Sequence, residues 1–275
     1  MTIGLRRLIV NADDFGLSEG VNQGILLAFA QGVVRSTTLL ANMAGFDHAV
    51  GLARLSPGLG VGVHLNLTWG RPVTPVAEVA SLVDGEGNFF GGPGPLLWRY
   101  LAGRVALHEV YRECVAQIRR VLEAGIVPTH VDTHHHLHAF PGLSRAVIQA
   151  ATAEGVWRMR WPLAQGSVAG RSWGRVGMKK ILSVLLVARL KRTLLAGGVW
   201  TPDLFFDPGV RGMNVKEIPL WQGVAEWGCH PALLEPVGLP CLGRVQELAH
   251  LIDPALRQAL MQAGISLIHY GELKN

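Results

Sequence analysis

Between Pro128 and His138 the chain reads Pro-Thr-His-Val-Asp-Thr-His-His-His-Leu-His, which gathers five of its 11 histidines and one aspartate into eleven residues. Imidazole and carboxylate donors at that density point to metal chemistry. Run as an extended strand, the segment places His130, Asp132, His134, His136 and His138 on one face and Val131 and Leu137 on the other. The tract is internal and broken by apolar residues, which separates it from an appended histidine tag. A set of hydrogen-bonded structural histidines beside a loop is the plainer reading.

Four further polar groups stand at the ends of apolar runs. Asp13 and Asp14 in Asn11-Ala12-Asp13-Asp14-Phe15-Gly16 follow Leu8-Ile9-Val10. On a regular strand these carboxylates point to opposite faces, but a sharp turn aided by Gly16 can bring both to one pocket, one for a metal and one for protons. A turn with a helix cap ahead of Ser18 explains them equally well. His64 and Asn66 alternate against Val63, Leu65 and Leu67, although a lone strand histidine is more often structural than a ligand. His230 sits in Cys229-His230-Pro231, and Arg160 in Arg158-Met159-Arg160-Trp161, where a buried guanidinium can orient a carboxylate.

These groups must be positioned by strands, and the chain supplies candidates. Short apolar runs at Leu8–Asn11, Val34–Leu40, Leu59–Asn66, Val127–Thr133, Trp157–Trp161, Ala225–Cys229 and Ile265–Ile268 alternate with helical periods. The helices are expected near Ser18–Ala30, His48–Leu55, Leu107–Glu123, Leu143–Ala153, Met178–Ala196 and Arg244–Ala263. Repeated strand–helix units build a parallel sheet, and seven of them without a linker predict one α/β barrel over residues 1–275. All five polar groups then fall at carboxyl ends of strands, where barrel enzymes assemble their sites. Two stretches break the rhythm: an inserted, Gly/Pro-rich loop at about residues 70–97, and a second irregular connector at 197–214.

Composition narrows the function classes. Charged residues are 16% of the chain against a usual figure of about 25%, and 49% are hydrophobic, enough for a large core. The net charge of +5 comes with no Lys/Arg block or interleaved aromatics, so no nucleic-acid partner is expected. The longest apolar run, Ile181–Ala188, falls well short of the about 20 residues a spanning helix needs. Three cysteines without a CxxC pair, and no signal-like start, predict a cytoplasmic protein.

Taken together, Asn-Ala-Asp-Asp-Phe-Gly, Val-His-Leu-Asn-Leu, Thr-His-Val-Asp-Thr-His-His-His-Leu-His and Cys-His-Pro-Ala resemble the motifs of the YdjC-like carbohydrate deacetylases, of which chitooligosaccharide deacetylase is the best-known kind. The similarity runs from about Arg7 to His230. It implies a distorted, incomplete TIM-like (β/α) barrel of about seven parallel strands and an enzyme removing the N-acetyl group from an acetylated amino sugar or oligosaccharide; oligomeric state is left open, a homodimer included. It further implies that Asp14, His64 and His134 hold one divalent metal, Zn²⁺ by preference with Mg²⁺ as the alternative. Asp13 would be the general base, and His230 would protonate the departing amine. Arg160 and Asp132 would orient these groups, with His130, Asn66 and Trp69 contacting substrate or supporting the pocket.

Three alternatives stand beside that expectation. A mononuclear Asp/His site also suits a metal phosphoesterase, although no Gly-rich phosphate loop is present. A binding-only protein would need neither Asp13 nor His230. A related branch of the family acts near hopanoid lipid biosynthesis, and the basic amphipathic stretch Lys179–Leu195 makes a sugar-bearing lipid such as a glycosylated hopanoid an alternative substrate.

Overall fold

The computed structural model describes residues 6–162, 190–209, 221–238 and 243–273. Seven parallel strands form one curled sheet: β1 (Arg6–Phe15), β2 (Ser36–Leu39), β3 (Gly60–Leu65), β4 (Val131–Thr133), β5 (Leu204–Phe206), β6 (Gly223–Cys229) and β7 (Ile265–Ile268). The order is β4-β3-β2-β1-β6-β5, with β7 against the first half of β1 and β2 against its second half. Helices α1 (Glu19–Gln31), α2 (Phe46–Arg54), α3 (Pro93–Leu101), α4 (Leu107–Glu123), α5 (Pro141–Ala153), α6 (Arg244–Leu251) and α7 (Pro254–Gln262) accompany the strands. This is the expected incomplete α/β barrel.

Alternation along the strands divides the barrel into a lipophilic coat and a polar interior. Leu8, Val10 and Ala12 of β1, Val61, Val63 and Leu65 of β3, and Ala225 and Trp227 of β6 join the large core that includes helix residues such as Ile25, Val50, Ile118 and Val147. Ile9 and Val224, one residue out of phase, instead pack with Ile268, Tyr270 and Leu273 in a small apolar plug. Continuing that interior face toward the carboxyl ends come Asn11, Asp13, Thr38, His64, Asp132 and Glu226, all buried. In-register pairing sets His64 directly beside Asp132. Gly62 leaves room for the histidine tract, because a Cβ there would lie 2.4 Å from His130 Nδ1.

Several elements depart from expectation for local reasons. Trp157–Trp161 pairs only through single bridges, Met159 with Val131 and Arg158 with Trp200, and so is no strand. The remaining strand is instead β5, paired with β6 at the other end of the strand order and inside the connector expected to be irregular; three residues bounded by Pro202 and Pro208 are too short to show periodicity. β4 shortens from Val127–Thr133 to Val131–Thr133. The insertion is structured as well: α3 begins at Pro93, a proline in the first helical turn, which reads as a breaker in sequence. Asp253, capping Ala255 N–H, and Pro254 split the expected Arg244–Ala263 helix in two.

Of the expected Met178–Ala196 helix, only 190–196 lie within the described residues, and they are helical; residues 163–189 lie outside them. The basic stretch behind the lipid alternative therefore falls mostly outside as well. No helix among the described residues is long and apolar enough to cross a membrane.

Candidate metal centre and catalytic pocket

β1 does not stop before its two aspartates but carries them to its end, and there the backbone turns. Asp14 adopts a left-handed φ of 70°, so its carboxylate enters the same pocket as that of Asp13 instead of pointing to the outer face. Gly16 (φ 90°) and a bond from its N–H to Asn22 Oδ1 complete the turn. His135 (φ 58°) and His136 (φ 53°) are the other non-glycine residues with positive φ among the described residues. All three flank the histidine–aspartate cluster, where strain of about 1–3 kcal/mol per residue is typically retained for function.

The histidine tract is not a strand beyond Thr133. Residues His134–Ala139 wind into a 3₁₀ turn with a kink at His135 and His136, which breaks the alternation that would have lined up five polar groups. His134 still enters the pocket, while His135 is left exposed at its mouth. His136 and His138 turn aside, their rings 6.5 Å apart, with His136 against Phe205. His138 holds the carbonyl of Arg160 through Nε2 at 3.0 Å and meets Thr133 Oγ1 at 2.6 Å, a structural role.

Two imidazole nitrogens face one carboxylate oxygen at the site. His64 is fixed through Nδ1 by Asp132 Oδ1 at 2.6 Å, with Thr38 Oγ1 at 3.2 Å. Its Nε2 is thereby aimed at Asp14 Oδ1, 3.4 Å away. His134 is oriented in parallel fashion: the Asn66 side-chain oxygen accepts from the Thr68 hydroxyl at 3.0 Å, so that hydroxyl oxygen accepts from His134 Nδ1–H at 2.7 Å. His134 Nε2 then faces the same Asp14 Oδ1 at 3.9 Å. Arg244 locks the other oxygen of Asp14 at 2.6 Å, and Oδ1 itself is buried with no hydrogen-bond partner among the described residues.

One carboxylate oxygen without a partner, and two imidazoles whose far nitrogens are held by other groups, fit a divalent cation well. Burial lowers the His134 imidazole well below its ordinary range, leaving it neutral and ligand-ready. Burial disfavours charge on His64 too, but Asp132 and Asp14 outweigh it and push the imidazole up to about 10, the mark of a pocket built around positive charge. Replacing Thr68 by Val is expected to weaken metal binding by about 10–100-fold, as loss of an orienting partner does, measurable by titration against a chromophoric chelator.

A different set, Asp13, His64 and Asp132, offers three atoms within 4.8 Å of one another. A cation already sits there: the Arg160 guanidinium binds Asp13 through both Nη atoms (2.6 and 2.7 Å), Asp132 through Nη1 (2.7 Å) and Glu226 through Nε (2.8 Å). That cluster is a salt-bridge network and not a second metal site. Burial would raise the Asp13 carboxyl, but Arg160 holds it well below the usual carboxylate range. Glu226, which also accepts from Tyr270 O–H at 2.6 Å, is pushed by burial up to about 7. Arg160 is completely buried and so positions Asp13 without reaching substrate. Arg160→Met would strip three buried carboxylates of their shared cation and is expected to cost about 3–5 kcal/mol of stability, read from denaturant unfolding.

The remaining expected residues occupy supporting places. His130 is buried and stacked on Tyr270 with centroids 3.7 Å apart. The side chain of Asn66 is committed to Thr68, Trp69 and Asn42. Trp69 is half-buried, edge-on to His134 at 4.4 Å. His230 is partly exposed, with Nε2 3.9 Å from Asp13 Oδ2. Arg244, Glu226, Tyr270 and Thr68 escaped the sequence reading, since none belongs to a motif and each reaches the site only through the fold.

A family model described as YdjC-like protein matches residues 7–262. The chain belongs to the YdjC-like family. It is 38% identical to a carbohydrate deacetylase of Geobacillus stearothermophilus, over 97% of this chain and 98% of that protein. It is 34% identical to a chitooligosaccharide deacetylase of Yersinia enterocolitica, over 96% and 98%. Among solved structures, a protein from Enterococcus faecalis described as a cellobiose-phosphate cleavage protein aligns with TM-score 0.74 and 30% identity, over 98% of this chain and 99% of the other. A lactam utilization protein from Thermus thermophilus, TM-score 0.51 at 17% identity over 95% and 99%, shares the fold.

Proposed function

We propose that this YdjC-like protein is a metal-dependent carbohydrate N-deacetylase, hydrolysing the acetamide of an N-acetylated amino sugar or oligosaccharide such as one containing N-acetylglucosamine. The observation that carries the reading is the unpartnered Asp14 Oδ1 facing the Nε2 atoms of His64 and His134, immediately beside a base and an acid. The deacetylase names of its relatives support the same reaction class.

A divalent ion held by Asp14, His64 and His134 would supply a Lewis acid for the acetyl carbonyl and an acidified water at neutral pH. Asp13 takes the proton of that water. Arg160 holds the Asp13 carboxylate ionised, as a proton acceptor must be. The two guanidinium bonds also fix the direction in which its lone pairs point. His230, on the side of Asp13 open to solvent, delivers a proton to the departing amine, which leaves poorly as an anion. Trp69, at the rim beside His134, offers an apolar ring face to a pyranose.

A phosphoesterase reading is less well supported by the charges. Arg160 and Arg244, the buried cations of the pocket, are already neutralised by Asp13, Asp132, Glu226 and Asp14, which leaves a surround hostile to a phosphate dianion. The test is acetate release from N-acetylglucosamine, diacetylchitobiose and an N-acetylated glycolipid, before and after chelation and with Zn²⁺ or Mg²⁺ restored. Release that stops on chelation and returns with metal is the expected result. Hydrolysis of p-nitrophenyl phosphate with no acetate from any sugar would transfer the site to phosphoester chemistry.

A further inference from the structure

Beyond the Asp14 centre, the carboxyl ends of β5 and β6 and the first turns of α6 bring Asp207, His230 and Glu247 together, each with one donor atom within 4.8 Å of the others. We propose that these three residues form a second, inhibitory site for a divalent transition-metal ion such as Zn²⁺, separate from the centre built on Asp14, His64 and His134.

Three features support the site. Donors mutually within 4.8 Å surround a point no more than about 2.8 Å from each, so a small inward movement reaches the ~2.0–2.2 Å coordination distances of Zn²⁺. Glu247 is 1% exposed; its Oε2 accepts from the backbone N–H of His230 at 2.9 Å, while its Oε1 is buried with no hydrogen-bond partner among the described residues. A buried carboxylate oxygen in that condition is stabilised by a cation. One imidazole and two carboxylates are also a donor set that first-row divalent ions accept. Asp207 is exposed and gives the cluster an open side through which an ion can enter.

Occupation would have a chemical consequence. An ion on the His230 ring takes the lone pair that otherwise carries the proton for the leaving amine, so filling this site stops turnover while the Asp14 centre stays loaded. That consequence rests on the reading of His230 as the proton donor; the existence of the site does not.

The experiment is titration of the metal-free protein with Zn²⁺, followed by calorimetry and by metal analysis after dialysis, together with acetate release at each loading. Wild type is expected to bind two ions per chain, the second more weakly, with acetate release rising on the first and falling on the second. Asp207→Asn, an exposed substitution that keeps an oxygen for the Gly209 N–H, is expected to weaken the second ion at least ~10-fold and to remove the inhibition. Glu247→Gln provides the same test from the buried side. His134→Ala is expected to retain the weaker ion while losing the tighter one.

Saturation of wild type at one ion, or two ions retained unchanged in Asp207→Asn, overturns the site. Two ions with Asp207-dependent binding but no fall in turnover overturns the inhibitory role. If no sugar yields acetate at any loading, the deacetylase reading has failed, and the stoichiometries still decide the site.

Discussion

Asp13→Asn is expected to abolish acetate release almost completely, with kcat lower by about 10²–10⁴-fold, while the protein keeps its full complement of tightly bound metal. One backbone torsion aims the two adjacent aspartates at different partners. Asp14, at φ 70°, turns its Oδ1 toward the His64 and His134 nitrogens, whereas Asp13 stays on the interior face of β1 and meets Arg160 and His230. Asparagine keeps the volume and one oxygen for Arg160 but takes no proton at neutral pH. The measurement pairs steady-state kcat with metal content by atomic absorption. Loss of metal equal to the loss of turnover would show that Asp13 is itself a ligand.

His134→Ala is expected to do the converse. Metal affinity should fall by more than the about 10–100-fold lost when only an orienting partner is removed, and activity should fall with it. The fold should survive, because His134 lies at a 3₁₀ turn past the end of β4 and its ring meets those of His64 and Trp69. High Zn²⁺ is expected to restore part of the turnover, since Asp14 and His64 remain in place. Calorimetric titration and acetate release on the same preparation check both. Unchanged metal affinity would remove His134 from the centre and leave its Nε2 without a purpose.

The two substitutions read different halves of one arrangement. Asp14, His64 and His134 share an oxygen-centred geometry in which Thr68 and Asp132 hold the far nitrogens. Asp13 and His230 share the open side of that geometry, and Asp13 is held by Arg160, which is completely buried.

Much of this was legible in the chain itself. A strand that ends in two aspartates, an alternating His64/Asn66 pair, a histidine-dense tract and a Cys-His-Pro corner mark the carboxyl ends of strands in any α/β barrel, because side chains there escape the core and can converge. Apolar alternation likewise marked β1, β3 and β6, whose outward residues meet helices and must be hydrophobic.

Tertiary structure alone decided the rest. β5 has three residues and no period to detect, and Trp157–Trp161 lost its strand because it pairs at only two points. The His tract reads as a strand by alternation, yet left-handed turns at His135 and His136 divert those two residues and His138 from the Asp14 carboxylate that His134 faces. Arg244 lies 230 positions from Asp14 and Glu226 lies 66 from Arg160, so no local signal could pair them. Composition and alternation act over a few neighbouring residues, whereas the charge balance of a buried site is settled by whichever distant side chains the closing barrel brings within hydrogen-bonding distance.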